Sequence, residues 1–171
     1  MEQKVVQPWV TGLILSLALI AFSIVLYVTG QSENKIWGWV QSLLIMATLI
    51  WSCINYAKQM NGNVSYGNVF AHGFKTTAAM IAIFSVYTFI SSKYIFPEMI
   101  DKLIERATKE MEAKGNVTDE QINAGLSVLK KFFIPISIGT IMLTFSLLGA
   151  IASAIGAGIA KKNPNPTPFD Q

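Results

Sequence analysis

Charged residues are scarce in this sequence. Of its 171 residues, 13% are charged and 52% are hydrophobic, whereas in soluble domains roughly a quarter of the residues are charged. A soluble fold of this length needs more polar residues to cover its surface, so the excess apolar surface must contact lipid or a partner. The few lysines lie at the ends of apolar runs and form no basic stripe, which argues against nucleic-acid binding.

Cysteine and histidine occur once each, as Cys53 and His72. A single cysteine excludes an intrachain disulfide, and its position inside an apolar run indicates a small packing residue. A metal site needs several ligands, yet no Asp, Glu, Cys or second His lies within ten residues of His72. The sequence therefore predicts neither a bound metal nor a cofactor.

Asp, Glu, Lys and Arg are absent from the middle of every long apolar run. Such residues inside a membrane are the usual mark of ion coupling or of a proton relay. The sequence also contains no phosphate-binding glycine loop after a strand and no Ser/His/Asp set. We therefore nominate no catalytic residues, and an ion-coupled transporter or an intramembrane hydrolase is disfavoured.

Long apolar runs, in contrast, are abundant. Four of them reach the length of about twenty residues that a membrane-spanning helix needs, and none shows the period-two alternation of barrel strands. The predicted spans are 9–29, 36–56, 76–96 and 134–160. The first exceeds the usual signal-peptide core of about 7 to 15 residues, so we expect an uncleaved anchor, with cleavage after Gly30 as the alternative.

Most of the charge lies in the segment 97–133, between the third and fourth spans. Apolar residues recur there at helical spacing along two stretches. Thr118, with Gln121 three residues later, has the pattern of a helix N-terminal cap. The sequence therefore predicts an all-α fold: a polytopic membrane protein with four transmembrane helices and an extramembrane amphipathic helical hairpin between helices 3 and 4.

These elements are predicted to form a single membrane domain over residues 1–162. The remaining segment, 163–171, contains three prolines. Because proline has no backbone donor and chain ends are often poorly ordered, we expect this tail to be disordered.

Acidic residues fall close to one line of the first hairpin helix, a pattern that a divalent cation could use. They are Glu98, Asp101, Glu105 and Glu112. Lys102 and Lys109 share this face, each four residues after one of the acids. The stripe is therefore interpreted as a solvated face with weak ion pairs.

The stretch NGNVSYGNVFAHGFKTT, residues 61–77, places the only histidine among three glycines. The glycines are spaced too irregularly for a phosphate loop. We interpret residues 61–68 as a turn between the second and third spans and residues 69–75 as the start of the third helix. Tyr66, His72 and Lys75 are candidate interface residues near the lipid headgroups.

Small residues recur four apart at the end of the last span, in GAIASAIGAGIA. Residues four apart form four rows along this helix, and three of these rows contain only small residues. Such rows let helix backbones approach closely in lipid. The candidate helix-packing residues are Gly149, Ser153, Gly156, Ala157 and Gly158. The alternative is that these residues line a conduit or allow a helix to slide.

The order of these elements resembles that of a known family. NVSYGNVFAHGF enters the third span, IFPEMIDKLIERATKEM leaves it, and GAIASAIGAGIAKKN ends the last span. This arrangement is similar to the uncharacterised bacterial inner-membrane family catalogued as domain of unknown function 4199, over nearly the whole chain. The resemblance implies the inner (cytoplasmic) membrane of a bacterium, and it implies no activity and no site residues.

Three functional hypotheses remain. The first is a structural or accessory membrane component, not an enzyme, which acts through helix packing or through a partner. The partner is the lipid bilayer, another membrane protein or a second copy of the chain. The second is a small channel or carrier. The third is a lipid-handling enzyme, in which His72 acts with Tyr66 or with acids of the hairpin.

The charges also bear on orientation in the membrane. Lys58 and Lys75 lie in or beside the second connection, where no acidic residue faces them. We therefore expect this connection, and with it both termini, to be cytoplasmic. A count of basic residues alone, which includes Lys93, Lys130 and Lys131 on the other side, favours the opposite orientation.

Overall fold

The computed structural model describes residues 5–32, 34–113 and 118–161. Every regular element in these ranges is helical. The elements are α1 (Pro8–Val28), α2 (Lys35–Gln59), α3 (Tyr66–Ile90), α4 (Glu98–Ala113) and α5 (Asp119–Ile159). Four helical stretches are long and apolar enough to cross a membrane. The predicted all-α class and its four spans are therefore confirmed. The predicted tail at 163–171 lies outside the described residues.

The chain divides into two compact units. The bundle unit comprises residues 1–84 and 143–171, and the middle unit comprises residues 85–142. The bundle unit therefore contains α1, α2, most of α3 and the carboxyl-terminal part of α5. The middle unit contains the end of α3, all of α4 and the first part of α5.

In the bundle unit, α1 and α2 are joined by a short turn. Gly30 has a φ of +67°, a conformation that glycine adopts at little cost. The side chain of Asn34 accepts a hydrogen bond from the Ile36 N–H at 3.0 Å and caps α2. Phe22 and Trp37 contact each other edge to face, with ring centroids 5.9 Å apart. The two helices are therefore antiparallel neighbours.

The connection from α2 to α3 is shorter than the sequence suggested. Asn61 and Gly62 take positive φ values of 52° and 76° and turn the chain. The Asn68 N–H donates to the Ser65 hydroxyl at 3.1 Å, so Ser65 caps a helix that begins at Tyr66. The predicted start at residue 69 is wrong by three residues, because this side-chain cap ends the turn early.

The core of the bundle unit combines aliphatic residues with small polar ones. Its fully buried apolar side chains include Leu19, Ile45, Leu49, Cys53, Val69, Met80, Ala152 and Ala157. Buried hydroxyls donate to carbonyls of their own helices: Ser16 to Leu13 at 2.8 Å, and Thr76 to His72 at 3.0 Å. These bonds satisfy polar groups away from water.

The middle unit carries the charged face that the sequence indicated. A π-helical turn, Ser91–Ile95, follows α3. On α4 the Lys109 ammonium donates to Glu105 at 2.7 Å and lowers the pKa of that carboxyl. Lys130 of α5 lies 3.9 Å from Asp101 of α4, so the two helices are neighbours within this unit. Both pairs are exposed, and such pairs contribute little stability. The extramembrane position of this hairpin remains a prediction.

The last helix differs from the expected arrangement of a hairpin helix followed by a separate span at 134–160. α5 runs from Asp119 to Ile159 and includes Pro135. Proline removes one N–H···O bond, to the carbonyl four residues earlier, and its φ of about −65° suits a helix. In apolar surroundings a helix can absorb that single loss. α5 therefore continues through the point where the sequence separated the hairpin from the last span.

Candidate ligand-binding site

A cavity of about 330 Å³ lies at one end of the bundle unit. It is lined by Val5, Val6, Gln7, Pro8, Tyr56, Met60, Asn68, Ala71, His72 and Lys75. Around it α1 begins, α2 ends and α3 begins. The cavity therefore lies at the ends of helices that are long and apolar enough to span a membrane.

One wall of the cavity is a single face of α3. Asn68, Ala71, His72 and Lys75 are three or four residues apart, and this spacing places them in one row along the helix. Asn68 and Lys75 are exposed, whereas His72 is only 6% exposed. The row therefore combines an amide, a buried imidazole and an ammonium group.

Two residues of α2 hold the imidazole of His72 in place. The Ser52 hydroxyl lies 3.2 Å from Nε2, and the Tyr56 ring stacks on the imidazole with centroids 4.3 Å apart and planes 12° apart. Ser52 and Tyr56 are four residues apart, so both lie on the face of α2 that meets α3. When the Ser52 hydroxyl donates to Nε2, Nδ1 carries the ring proton.

Another part of the lining comes from residues 5–8, which lead into α1 and include its first residue, Pro8. The Val6 N–H donates to the Gln59 side-chain oxygen at 2.9 Å, which ties this segment to the last residue of α2. Val5, Val6 and Pro8 are apolar, and Gln7 adds an amide. The lining therefore combines polar side chains of α3 with apolar side chains of residues 5–8.

The Ser52–His72 pair has the form of a nucleophile beside a base. Ser52, however, is 3% exposed and does not line the cavity, so a ligand in the cavity does not reach its hydroxyl. Nor do the described residues contain a group of three His, Cys, Asp or Glu that could hold a metal ion. The arrangement is suited to holding a ligand in place.

The predicted interface residues separate into two places. His72 and Lys75 line the cavity together, whereas Tyr66 is not in its wall. The Tyr66 hydroxyl donates to the Ala154 carbonyl at 3.4 Å, and its ring stacks on Phe70. The structure therefore brings two of the three candidates together and places the third against α5.

The small residues near the end of α5 lie against α2 and α3. A Cβ atom on Gly149 would overlap the side chain of Thr77 on α3. A Cβ atom on Gly156 would lie 2.6 Å from Cβ of Cys53 on α2, a separation that real Cβ atoms do not show. At these two positions only glycine fits the observed spacing of the helices.

The other three packing candidates differ from one another. Ser153 and Ala157 are fully buried, and the Ser153 hydroxyl has no hydrogen-bond partner. Ser153 lies against Gly73 of α3, where a Cβ atom would be 2.5 Å from the hydroxyl oxygen. Outside its own helix, no residue of the described ranges has an atom within 4 Å of a Cβ placed on Gly158, and this glycine is exposed. Four candidates thus pack within the bundle unit, and Gly158 does not.

Several residues of the site were not nominated from the sequence. Ser52 and Tyr56 lie in an apolar span and belong to no motif, and Asn68 was assigned to a turn. The one available indication was spacing: Asn68, His72 and Lys75 form a polar row on an otherwise apolar helix. The histidine-containing stretch therefore has two parts: a turn that connects two spans, and the start of α3, which lines the cavity.

Comparison with known proteins gives one match. Residues 11–162 match the family described as "Protein of unknown function (DUF4199)". No curated protein and no solved structure matches the chain. The matched range begins within α1 and extends just past the end of α5, so it includes the α2 and α3 walls of the cavity and all the packing residues.

Proposed function

The chain belongs to the DUF4199 family of proteins of unknown function, and on this premise we propose that it is a non-catalytic, accessory membrane protein that binds the polar end of a membrane lipid. The observation that carries the proposal is the cavity beside His72. A lipid presents a polar headgroup joined to an apolar chain, and the lining of the cavity combines polar side chains of α3 with apolar side chains of residues 5–8.

The size and position of the cavity support this proposal. Its volume of about 330 Å³ is at the lower end of the range for small-molecule pockets, about 300 to 1,000 Å³. This volume suits a headgroup better than a whole lipid. The cavity lies at one end of helices that are apolar enough to span a membrane, and the ends of such helices are where lipid headgroups would meet the protein.

The packing of the bundle unit gives little support to the alternative of a channel or carrier. A conduit needs polar groups along an open passage. The buried hydroxyls of Ser16, Thr76 and Thr77 instead donate to carbonyls of their own helices. At Gly149 and Gly156 the neighbouring helices lie so close that no side chain fits between them.

The burial of Ser52 supports the non-catalytic part of the proposal. A general base must reach the proton that it removes, and a nucleophile must also reach its substrate. Ser52 is buried behind the cavity wall, so its bond to His72 serves to orient the imidazole. The cavity-lining residues include no carboxylate that could act in place of the serine.

We further propose that the protein resides in the inner membrane of a bacterium, with both termini in the cytoplasm. The cavity then faces the cytoplasmic leaflet, because the start of α1 lines it. Single cysteines at Ser32 and Asn163, labelled from outside intact cells, test this orientation. We expect Ser32→Cys to react and Asn163→Cys not to react; Asn163 lies outside the described residues. The reverse result would invert the orientation.

Photolabelling tests lipid binding at the cavity. The purified protein is mixed with phosphatidylcholine or phosphatidylglycerol probes that carry a diazirine near the headgroup, and the labelled peptides are mapped. We expect labels on peptides that contain Met60, Ala71 or the segment 5–8. Lipid that merely surrounds the protein would label the outer helix faces instead.

Two tryptophan variants on α3 provide the matched comparison. Ala71→Trp fills the cavity, because Ala71 lies in its wall, and we expect it to abolish labelling there. Ala78→Trp is the control: Ala78 is exposed, on the same helix, and outside the cavity. Cavity labelling that survives Ala71→Trp, or that is absent with both probes in the unmodified protein, would contradict the proposed function.

A further inference from the structure

The described part of the bundle unit contains no acidic residue. Across residues 5–32, 34–84 and 143–161 there is no Asp or Glu. The same ranges contain four lysines: Lys35, Lys58, Lys75 and Lys161. These residues therefore provide no internal counter-charge for a positive group in the cavity wall.

Lys75 is the one charged residue among those that line the cavity. Within the described ranges it forms no ion pair, and the described part of its unit has no carboxylate to offer. Near an apolar layer, an ammonium group without a counter-ion is less stable than one paired with an anion. A negatively charged ligand would supply this pairing.

The two polar neighbours of Lys75 on α3 add hydrogen-bond donors. The side-chain amide of Asn68 has an N–H₂ group, and the imidazole of His72 has Nδ1–H as a donor when the Ser52 hydroxyl donates to Nε2. One cation and two donors in a row suit a phosphate, whose oxygens accept several charge-assisted bonds. A zwitterionic headgroup would bring its own ammonium close to Lys75.

We infer that the cavity selects the headgroup of an anionic phospholipid, with Lys75 as the counter-charge and Asn68 and His72 as donors to the phosphate oxygens. The inference rests on the proposed function and names the lipid class. Free phosphate shares the same chemistry, but it would leave the wall formed by Val5, Val6 and Pro8 without an apolar partner.

The test compares phosphatidylglycerol with phosphatidylcholine, which carry the same chains and different net charge. The full-length protein in neutral detergent is titrated with each lipid, and bound lipid is counted by native mass spectrometry. We expect phosphatidylglycerol to bind about fivefold more tightly, since one lysine near an anionic lipid contributes roughly this much. Lys75→Gln is expected to remove the preference, and Lys75→Arg to retain it.

Lys58→Gln is the matched control. It removes the same charge at the same end of the bundle unit, from an exposed residue of α2 that does not line the cavity. We expect it to keep the preference. An equal loss in Lys58→Gln and Lys75→Gln would indicate general surface charge and overturn the inference, as would no loss in either.

Two further measurements complete the test. Asn68→Asp introduces a negative charge into the wall at an exposed position, and we expect it to reverse the preference; an unchanged preference would contradict the inference. Inorganic phosphate at the concentration of the lipid is expected to leave the lipid bound. Displacement would assign the site to a free anion. If both lipids bind equally and Ala71→Trp still abolishes their binding, the preference for an anionic lipid is refuted, whereas the proposed function of lipid binding stands.

Discussion

Gly156→Leu is expected to lower the free energy of unfolding by about 3 kcal/mol, the upper part of the usual range for overpacking a tight interior. The first added carbon would lie 2.6 Å from Cβ of Cys53, 3.1 Å from its Sγ and 3.3 Å from Cα of Ile50. One of these neighbours is backbone, so a rotamer change alone cannot make room. α2 and α5 must separate, and the contacts along their interface are lost.

Ile155→Leu is the control for that substitution. Ile155 is the preceding residue and is 42% exposed, and the change conserves volume, so we expect a loss below about 1 kcal/mol. Thermal unfolding of both variants in the same detergent measures the difference. Equal losses would show that residue 156 is not at a close-packed contact.

Gly12→Leu is expected to have a similarly large effect at the contact of α1 with α3. A Cβ atom at Gly12 would lie 2.8 Å from the carbonyl oxygen of Thr76, 3.1 Å from the Met80 nitrogen and 2.7 Å from Cβ of Ala79. Two of these three atoms belong to the α3 backbone, so the side chains cannot relieve the overlap. We expect a loss of about 3 kcal/mol.

Gly38→Leu is the matched control for Gly12→Leu. Gly38 also lies within a helix, but no atom lies within 4 Å of its Cβ position. Leucine favours a helix over glycine by roughly 0.6 to 1 kcal/mol, so this variant is expected to be unchanged or slightly more stable. Urea or thermal unfolding compares the two. A loss in Gly38→Leu as large as that in Gly12→Leu would show that the effect comes from added apolar bulk and not from the helix contact.

These contacts also explain the mixture of polar and small residues in the core. Cys53 lies between Gly73 of α3 and Gly156 of α5, and its thiol donates to the Val69 carbonyl at 3.7 Å. Ser153 lies against the same glycine of α3. The three helices meet through their smallest side chains, as expected where dispersion and packing replace the hydrophobic effect.

The close packing and the cavity occupy neighbouring parts of the same helices. His72 and Gly73 are adjacent on α3 but face different neighbours: His72 lines the cavity, and Gly73 lies against Ser153 of α5. Ser52 and Cys53 are likewise adjacent on α2 and face different neighbours. Ser52 forms a hydrogen bond with His72, and Cys53 packs against Gly73 and Gly156. A change at Gly73 or Gly156 is therefore expected to alter the cavity along with the stability.

Some errors of the sequence interpretation have local causes. The start of α3 was placed three residues late, because a Ser65 cap within a turn-like stretch of Asn and Gly resembles a longer loop. The hairpin was predicted to end at residue 133 and the last span to begin at residue 134, yet α5 continues through this region and through Pro135. Local sequence preferences define the ends of helices only to within a few residues. Proline usually ends a helix in soluble proteins, but it is often tolerated inside an apolar helix.

The sequence by itself determined the number and the helical type of the spans, because hydropathy and length act within one segment of chain. It also identified the small-residue pattern of α5, since its period is local. Only the tertiary structure decided that Gly149 and Gly156 meet Thr77 and Cys53, while Gly158 is left in open space. It also decided that His72 bonds Ser52 and lines a cavity with Lys75. The helical period shows which residues of one helix share a face. Which other helix packs against that face depends on how all the helices fit together, and the sequence of one helix does not contain that information.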